Sequence, residues 1–224
     1  GQKHNIELER AAKNIEYLSE HGLFVEHNII DLKSAIGVFY SALTTPDVDI
    51  PEGHYEEEQM KQTVVPNRNA IFASILYGHA LSIAQRENTE IVIGLGVHSG
   101  DHAIYPDCRP EFYKAIEYAF NIGNWESDRV HFYLPYLTGD KVTILRDALE
   151  TCESLNLDFE RIFKNTNTSY NPDKEGRSSG KSGADVERIL AFHQIGRKDP
   201  VEYIEPWDLV LANALEITES TTGT

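Results

Sequence analysis

Ile91-Val92-Ile93-Gly94-Leu95-Gly96-Val97 is a run of strand length with no polar side chain in it. A strand reads as a continuous apolar run, rather than an alternating one, when both of its faces are covered, as in the middle of a parallel sheet. The stretch therefore predicts a central parallel strand, and parallel neighbours must be joined by helical crossovers. One lies upstream. Over residues 67–86, Ile71, Phe72, Ile75, Leu76, His79 and Ile83 form a stripe at helical spacing, with Asn67 available as N-cap. Downstream the strand runs into a loop dense in Asp, Tyr, His and Arg that ends at Tyr105-Pro106-Asp107-Cys108-Arg109. A polar loop at a strand end is how an α/β protein builds a pocket.

Working outward, Pro110 suits the first turn of a helix whose inner face is Phe112, Ala115, Ile116 and Ala119. Residues 129–134 alternate as a strand that Pro135 ends. Thr138-Gly139-Asp140 leads a helix with the stripe Leu145, Ala148, Leu149, Cys152 and Leu155, Asp140 as N-cap and Lys141 as first residue. Residues 164–185 are polar and rich in Gly and Ser, which predicts a loop. A last core helix carries Val186, Ile189, Leu190 and His193 and runs to Gly196. At the other end, Leu8, Ala11, Ala12, Ile15 and Leu18 mark an amphipathic helix, residues 24–30 a short strand, and residues 32–43 a helix or helical turn that dies at Pro46. Residues 46–63, with the acidic run Glu56-Glu57-Glu58, predict a solvated loop or lid. The expected fold is α/β, a layered parallel sheet with helices on both faces, in one domain over residues 1–203. Residues 204–224 form a tail that disorders at its end. Trp207, Leu209 and Val210 pack either on their own domain or on a second subunit.

The chain's 224 residues, 41% apolar, are enough to bury a sizeable core. Twenty Lys and Arg against 36 Asp and Glu leave a net charge of −16, a field that repels phosphate backbones and anionic lipid. Nucleic-acid and membrane partners are thus disfavoured, while a local basic pocket for a small anion is not. No apolar run approaches the roughly 20 residues that span a bilayer, and residues 1–5 lack a signal-peptide core. A cytoplasmic location is expected. Cys108 and Cys152 stand in unlike contexts, which predicts reduced thiols rather than a disulfide.

Val65-Pro66-Asn67-Arg68-Asn69 and Tyr105-Pro106-Asp107-Cys108-Arg109-Pro110-Glu111-Phe112 resemble the QueC family, the 7-cyano-7-deazaguanine (preQ0) synthases of the PP-loop ATP pyrophosphatase superfamily. Further matches follow in the family's order: Gly1-Gln2-Lys3-His4 with Glu7, Gly96-Val97 with Asp101, Lys141 heading a helix, Val186-Glu187-Arg188-Ile189, and Gly196-Arg197-Lys198-Asp199-Pro200-Val201. The resemblance covers roughly residues 1–203. It implies an adenine nucleotide alpha hydrolase-like fold and a homodimer. It also implies ATP-dependent activation of 7-carboxy-7-deazaguanine, attack by ammonia to give an amide, and a second activation that dehydrates it to the nitrile. The implied cofactors are ATP and Mg2+. By this resemblance Arg68 and Lys141 are the catalytic candidates, Asn69, Asp101, Tyr105, Asp107 and Arg109 bind substrate, and Gln2 and His4 contact ATP. Two anions must be held together, which calls for Arg, Lys and helix N-termini.

The sequence departs from the family in two places. The family's Ser-Gly-Gly-x-Asp-Ser phosphate loop is absent from the chain as it starts at Gly1, and a truncated, processed or partial chain is the favoured account. Where the family carries four zinc cysteines, this chain has Ser169, Ser179, Ser182 and Asp185. Serine hydroxyls are poor zinc ligands, so no zinc is expected. The loop must then be held by hydrogen bonds or a partner, or be mobile. Ala103-Ile104 also replaces the family's usual Ser-Gly.

These departures keep two other readings in view. One is a ligase joining the activated deazaguanine to another amine, such as a protein terminus, as in anti-phage defence systems. The other is a non-catalytic protein that binds a deazapurine or a partner. Individual residues have plainer readings too. Cys108 beside Arg109 has the setting of a nucleophile, but the chemistry needs none and a buried structural thiol fits better. Asp107 could cap the helix that follows it. His4, His98 and His102 lack metal-ligand spacing, and core or pocket-edge roles fit them better. Lys141 at a helix start is opposed by the macrodipole, which favours a functional reason for its presence.

Overall fold

A computed structural model describes residues 6–45, 47–52, 58–170 and 172–222. The protein is a helix-rich mixed α/β chain with a parallel sheet, and it divides into two compact units, Pro66–Asp140 and the remainder. In order, the helices are α1 (Ile6–Glu20), α2 (Lys33–Ile36), α3 (Arg68–Glu87), α4 (Pro110–Gly123), α5 (Lys141–Ser154), α6 (Phe159–Lys164), α7 (Gly183–Gln194) and α8 (Trp207–Thr222). The strands are β1 (Ile91–Gly94) and β2 (Val130–Tyr133). No helix among the described residues is long and apolar enough to cross a membrane.

In the unit Pro66–Asp140, β1 and β2 pair in parallel, with Ile91 opposite Val130 and Ile93 opposite Phe132. Those four side chains share one face, which α3 and α4 cover through Tyr77, Ala80, Leu81, Ala84 and Phe120. The Tyr77 and Phe120 rings lie 4.5 Å apart between centroids and Phe132 joins them, an aromatic set that closes the layer. The other face is open. Val92 is 62% exposed, so the expectation of a strand covered on both faces fails at this position. The inner stripe of α3 is also rotated from the expected one: Ala73, Tyr77, Ala80, Leu81 and Ala84 are buried, while Phe72, Leu76 and His79 are exposed. Alanines let a helix approach a sheet closely, and that narrow face wins over the bulkier stripe beside it. On α4, Pro110 occupies the first turn as expected, but Tyr113 is the buried residue and Ala115 and Ala119 face out.

In the other unit, α5, α6 and α7 enclose Leu145, Cys152, Phe159 and Phe192. Most of the α5 stripe lies inward as expected, but Leu155 is exposed. Helix α1 forms as expected, yet Tyr17 is its buried residue and Leu8 is exposed. Its contacts are largely polar: the Arg10 guanidinium donates to Lys164 O, the Asn14 amide to Ile162 O and Asn165 O, and Tyr17 accepts from Asp158 N. The Arg10 and Asn14 donors bond carbonyls at the C-terminal end of α6, of which Ile162 O also accepts from Asn165 N. The expected strand at residues 24–30 has no pairing among the described residues, and Phe24, Val25, Ile29 and Ile30 are exposed. Strand propensity needs a ladder partner to be realised. Part of the expected solvated loop is instead anchored: Glu58–Thr63 is a 3-10 turn with Met60 and Thr63 buried. Residues 46 and 53–57 of that loop lie outside the described residues.

Helix α7 organises this unit. Val186 and Ile189 pack against Val210 and Ala214 of α8, so the segment expected to fade into disorder is helical to Thr222. The preceding loop turns at Gly180, where φ is +73° and a Cβ would meet Val210 Cγ1 at 2.9 Å, so only glycine fits. Two buried charges on α7 hold the loops around it. Asp185 accepts from Ser178 Oγ at 2.5 Å, Ser169 Oγ at 3.1 Å and Ser179 Oγ at 3.2 Å. Ser182 completes a capping box with Asp185. One turn on, Arg188 donates to both oxygens of Asp199, at 2.6 and 2.9 Å, and to Thr166 Oγ1 and Phe163 O. Tyr203 and Val201 N also donate to Asp199. Burial opposes the Arg188 charge, but Asp199 outweighs it and the guanidinium pKa rises. The described residues of 165–182 have no helix or paired strand apart from the bridge Ser178–Tyr203, and they are held by these hydrogen bonds.

Asp185→Asn turns an acceptor that faces three hydroxyls into a group with competing N–H donors. It is expected to lower unfolding free energy by about 3 kcal/mol. A fall in the urea midpoint would register the loss, with the exposed Glu153→Gln staying near wild type.

Candidate functional site

The loop leaving the C-terminal end of β1 folds over the N-terminus of α3 within the unit Pro66–Asp140. The loop is shaped by two 3-10 turns, Ser99–Asp101 and Pro106–Cys108, and pinned by Ser99, whose N–H and hydroxyl both donate to Gly139 O. His98 is buried. Its Nδ1 accepts from Gly100 N, which leaves the proton on Nε2, 3.5 Å from Asp101 Oδ2. Asp101 O accepts from Tyr105 N at 2.8 Å and so seats the buried Tyr105 ring.

At the start of α3, Asn67 holds the N-cap place but lies in the left-handed region, φ 60°, and its side chain makes no cap bond. Asp107 does that work. Its Oδ2 accepts from Asn69 N at 3.3 Å, while the Asn69 amide donates toward Asp107 O and Cys108 Sγ. The expectation that Asp107 caps the following helix is corrected: the N-cap of α4 is Arg109, with no side-chain cap bond, and the carboxylate reaches back to α3. The half-buried Arg68 places its guanidinium 5.8 Å from the Tyr105 ring centroid. Arg109 is exposed and donates through Nε to His102 O at 2.8 Å.

Arg68, Asn69, Asp101, Tyr105, Asp107 and Arg109 thus lie in one polar loop-and-helix region. Two buried atoms near it have no partner among the described residues: Asp107 Oδ1 and His102 Nε2. A buried unpaired acceptor or donor is costly unless a ligand or water completes it. Together with the guanidinium of Arg68, they offer an acceptor, an imidazole and a cation to an incoming molecule. His102 is the residue the sequence undersold, since nothing in its spacing sets it apart from a core histidine.

Cys108 is buried among these groups. Burial pushes its thiol up to about 12, with Asp101 and Asp107 adding to the shift, so it is no thiolate nucleophile at neutral pH. Both cysteines are free.

Lys141 heads α5 in the other unit, where its ammonium contacts the Glu187 carboxylate of α7. Gln2 and His4 lie outside the described residues. Ser169, Ser179, Ser182 and Asp185 are hard oxygen donors already bonded to one another, a set that does not fit a structural zinc. Among the described residues no group of three or more His, Cys, Asp and Glu is placed to hold a metal. Mg2+ in such a protein would be carried by substrate phosphates.

A parallel sheet whose strand end carries a polar cluster over a helix N-terminus defines an α/β protein with a polar site at the end of β1. The family described as queuosine biosynthesis protein QueC matches residues 1–196, and the chain belongs to that family. It is 42% identical over 204 residues to 7-cyano-7-deazaguanine synthase 2 of Colwellia psychrerythraea. It is 41% identical over 203 residues to the 7-cyano-7-deazaguanine synthase of Alteromonas mediterranea and 39% identical over 203 to that of Pseudoalteromonas translucida. Each match covers 91% of this chain and 83% of the relative.

The Cys108 environment sets a pH dependence. Its folded value lies above the ordinary 9.0, so folding favours the neutral thiol. That stabilisation is complete below about pH 9 and is lost as pH rises toward 12. Cys108→Ala is expected to flatten the fall of Tm above pH 9, measured by thermal melts across the alkaline range.

Proposed function

We propose that this chain is an ATP-using enzyme that converts 7-carboxy-7-deazaguanine into 7-cyano-7-deazaguanine, acting in the cytoplasm as a homodimer. The observation that carries the reading is the cluster at the end of β1, where Asp107 Oδ1 and His102 Nε2 are buried without partners among the described residues, in the unit that also carries Arg68 within reach of Tyr105. A deazaguanine presents both N–H donors and acceptors along its edge, which suits an unpaired carboxylate oxygen and an imidazole. Membership of the QueC family and the names of its relatives supply the reaction class.

The chemistry follows from the inertness of a carboxylate. Its oxygen attacks the α-phosphorus of ATP, pyrophosphate leaves, and the carbonyl carbon now carries AMP as a leaving group. Ammonia adds to that carbon and expels AMP, giving the amide. The amide oxygen attacks a second ATP in the same way, and loss of the two nitrogen protons with AMP leaves the nitrile. In this reading Lys141 and Arg68 stabilise the charge that develops on phosphate and acyl oxygen. The Tyr105 ring lies within cation–π reach of that guanidinium, 5.8 Å from centroid to Cζ. Asn69, Asp101, Asp107 and Arg109 hold the substrate, and Gln2 and His4 contact ATP. Mg2+ on the phosphates neutralises their charge. No step uses zinc or a thiol.

The test is incubation of the protein with ATP, Mg2+, ammonium and the carboxylate, with mass spectrometry of the products. AMP and a nitrile are expected; neither appearing would overturn the reading. A deazaguanine adduct on a co-expressed protein would point instead to conjugation with another amine. Arg68→Ala is expected to lower kcat by about a hundredfold, while Asn69→Ala raises KM for the carboxylate.

A further inference from the structure

Glu187 lies in the segment Val186-Glu187-Arg188-Ile189, and its carboxylate is an ion-pair partner of the lysine that the proposed reaction needs. Its carboxylate meets the Lys141 ammonium, with side chains only 23% and 17% exposed, so the pair is largely shielded from water. Lys141 is the first residue of α5, where the positive end of the helix opposes a cation. A carboxylate from another helix meets it at the helix N-terminus.

The position of Glu187 is itself rigidly determined. Asp185, Val186, Arg188 and Ile189, which flank it on α7, are all buried, so the helix cannot turn to carry it elsewhere. The rotation of α7 is held at its start by the serine cluster on Asp185 and one turn later by Arg188 with Asp199. Helices α5 and α7 share the core formed by Val142, Leu145, Ala191 and Phe192. Hydrogen bonds around Asp185 thereby fix a residue that touches Lys141.

We infer that Glu187 is a positioning residue, which holds the Lys141 ammonium in place for the developing phosphate charge, with α7 anchored for the purpose by the Asp185 hydrogen-bond cluster. The inference rests on the proposed role of Lys141 in adenylation. A misplaced charge costs rate far more than it costs binding.

Two measurements test it. Glu187→Ala is expected to lower kcat for AMP formation at least about tenfold with KM for ATP changed less than about twofold, and Glu187→Gln, which keeps an acceptor oxygen, to fall between it and wild type. In parallel, lysines are reductively 13C-methylated and the Lys141 signal is assigned by its loss in Lys141→Arg. That signal should move toward the exposed-lysine position in Glu187→Ala. Unchanged kcat together with an unmoved signal would overturn the inference. A fall in Tm with kcat intact would reduce Glu187 to a structural ion pair and overturn it equally. If wild type makes no AMP, the proposed reaction fails. The methyl signal then decides by itself whether Glu187 holds Lys141.

Discussion

A carboxylate with almost no exposure to water must be surrounded by donors or abandon its charge, and Asp185 meets that demand with three serine hydroxyls and a helix cap. The donors come from two places in the chain, Ser169 and the adjacent pair Ser178 and Ser179, so satisfying one side chain draws an irregular segment onto the start of α7. Arg188 does the same with the opposite sign, gathering Asp199, Thr166 and the carbonyl of Phe163. A loop with so few apolar residues could not have been ordered by burial alone. Its order comes from two buried charges, and those charges are tolerable only because the loop is ordered.

Within the unit Pro66–Asp140 a carboxylate again decides the geometry, but its bonding is left incomplete. Asp107 gives one oxygen to the N-terminus of α3 and keeps the other buried and unpaired. The contrast with Asp185 is informative. At Asp185 both oxygens are bonded; at Asp107 one oxygen is left over, in the same loop as the unpartnered Nε2 of His102. The same surroundings keep Cys108 neutral, since two carboxylates and burial all oppose a thiolate.

Features with local causes could be read from the sequence. Pro110 in the first turn of α4, Lys141 at the head of α5 and the strand pair beginning near Ile91 and Val130 each follow from periodicity or from a residue with restricted backbone geometry. Features that depend on a distant partner could not. Helix α3 has two adjacent apolar stripes, and only the sheet selects the one with Ala73, Ala80 and Ala84. Residues 24–30 have strand propensity with nothing to pair to among the described residues. Asp107 precedes one helix and caps another, because the turn at Pro106 sends its side chain back to Asn69. Asp199 stands in Arg197-Lys198-Asp199, a triplet that looks solvated, and its burial is visible only once Arg188 is placed opposite it.

At positions 169, 179, 182 and 185, where the family resemblance implies zinc thiolates, oxygen groups keep this region ordered by hydrogen bonds. A zinc site draws its ligands together through one strong centre and couples folding to metal supply and to thiol redox state. The serine cluster has no such centre. Each bond is weak, each hydroxyl must be oriented, and the acceptor is carried by α7 itself, so the loop can order only on a helix that is already formed and packed. That helix is packed by Val186, Ile189 and Phe192, which are almost completely inaccessible to water. The order of the loop therefore rests on the hydrophobic core beneath it. In return the region carries no thiol to oxidise, and the two cysteines the chain retains are both buried.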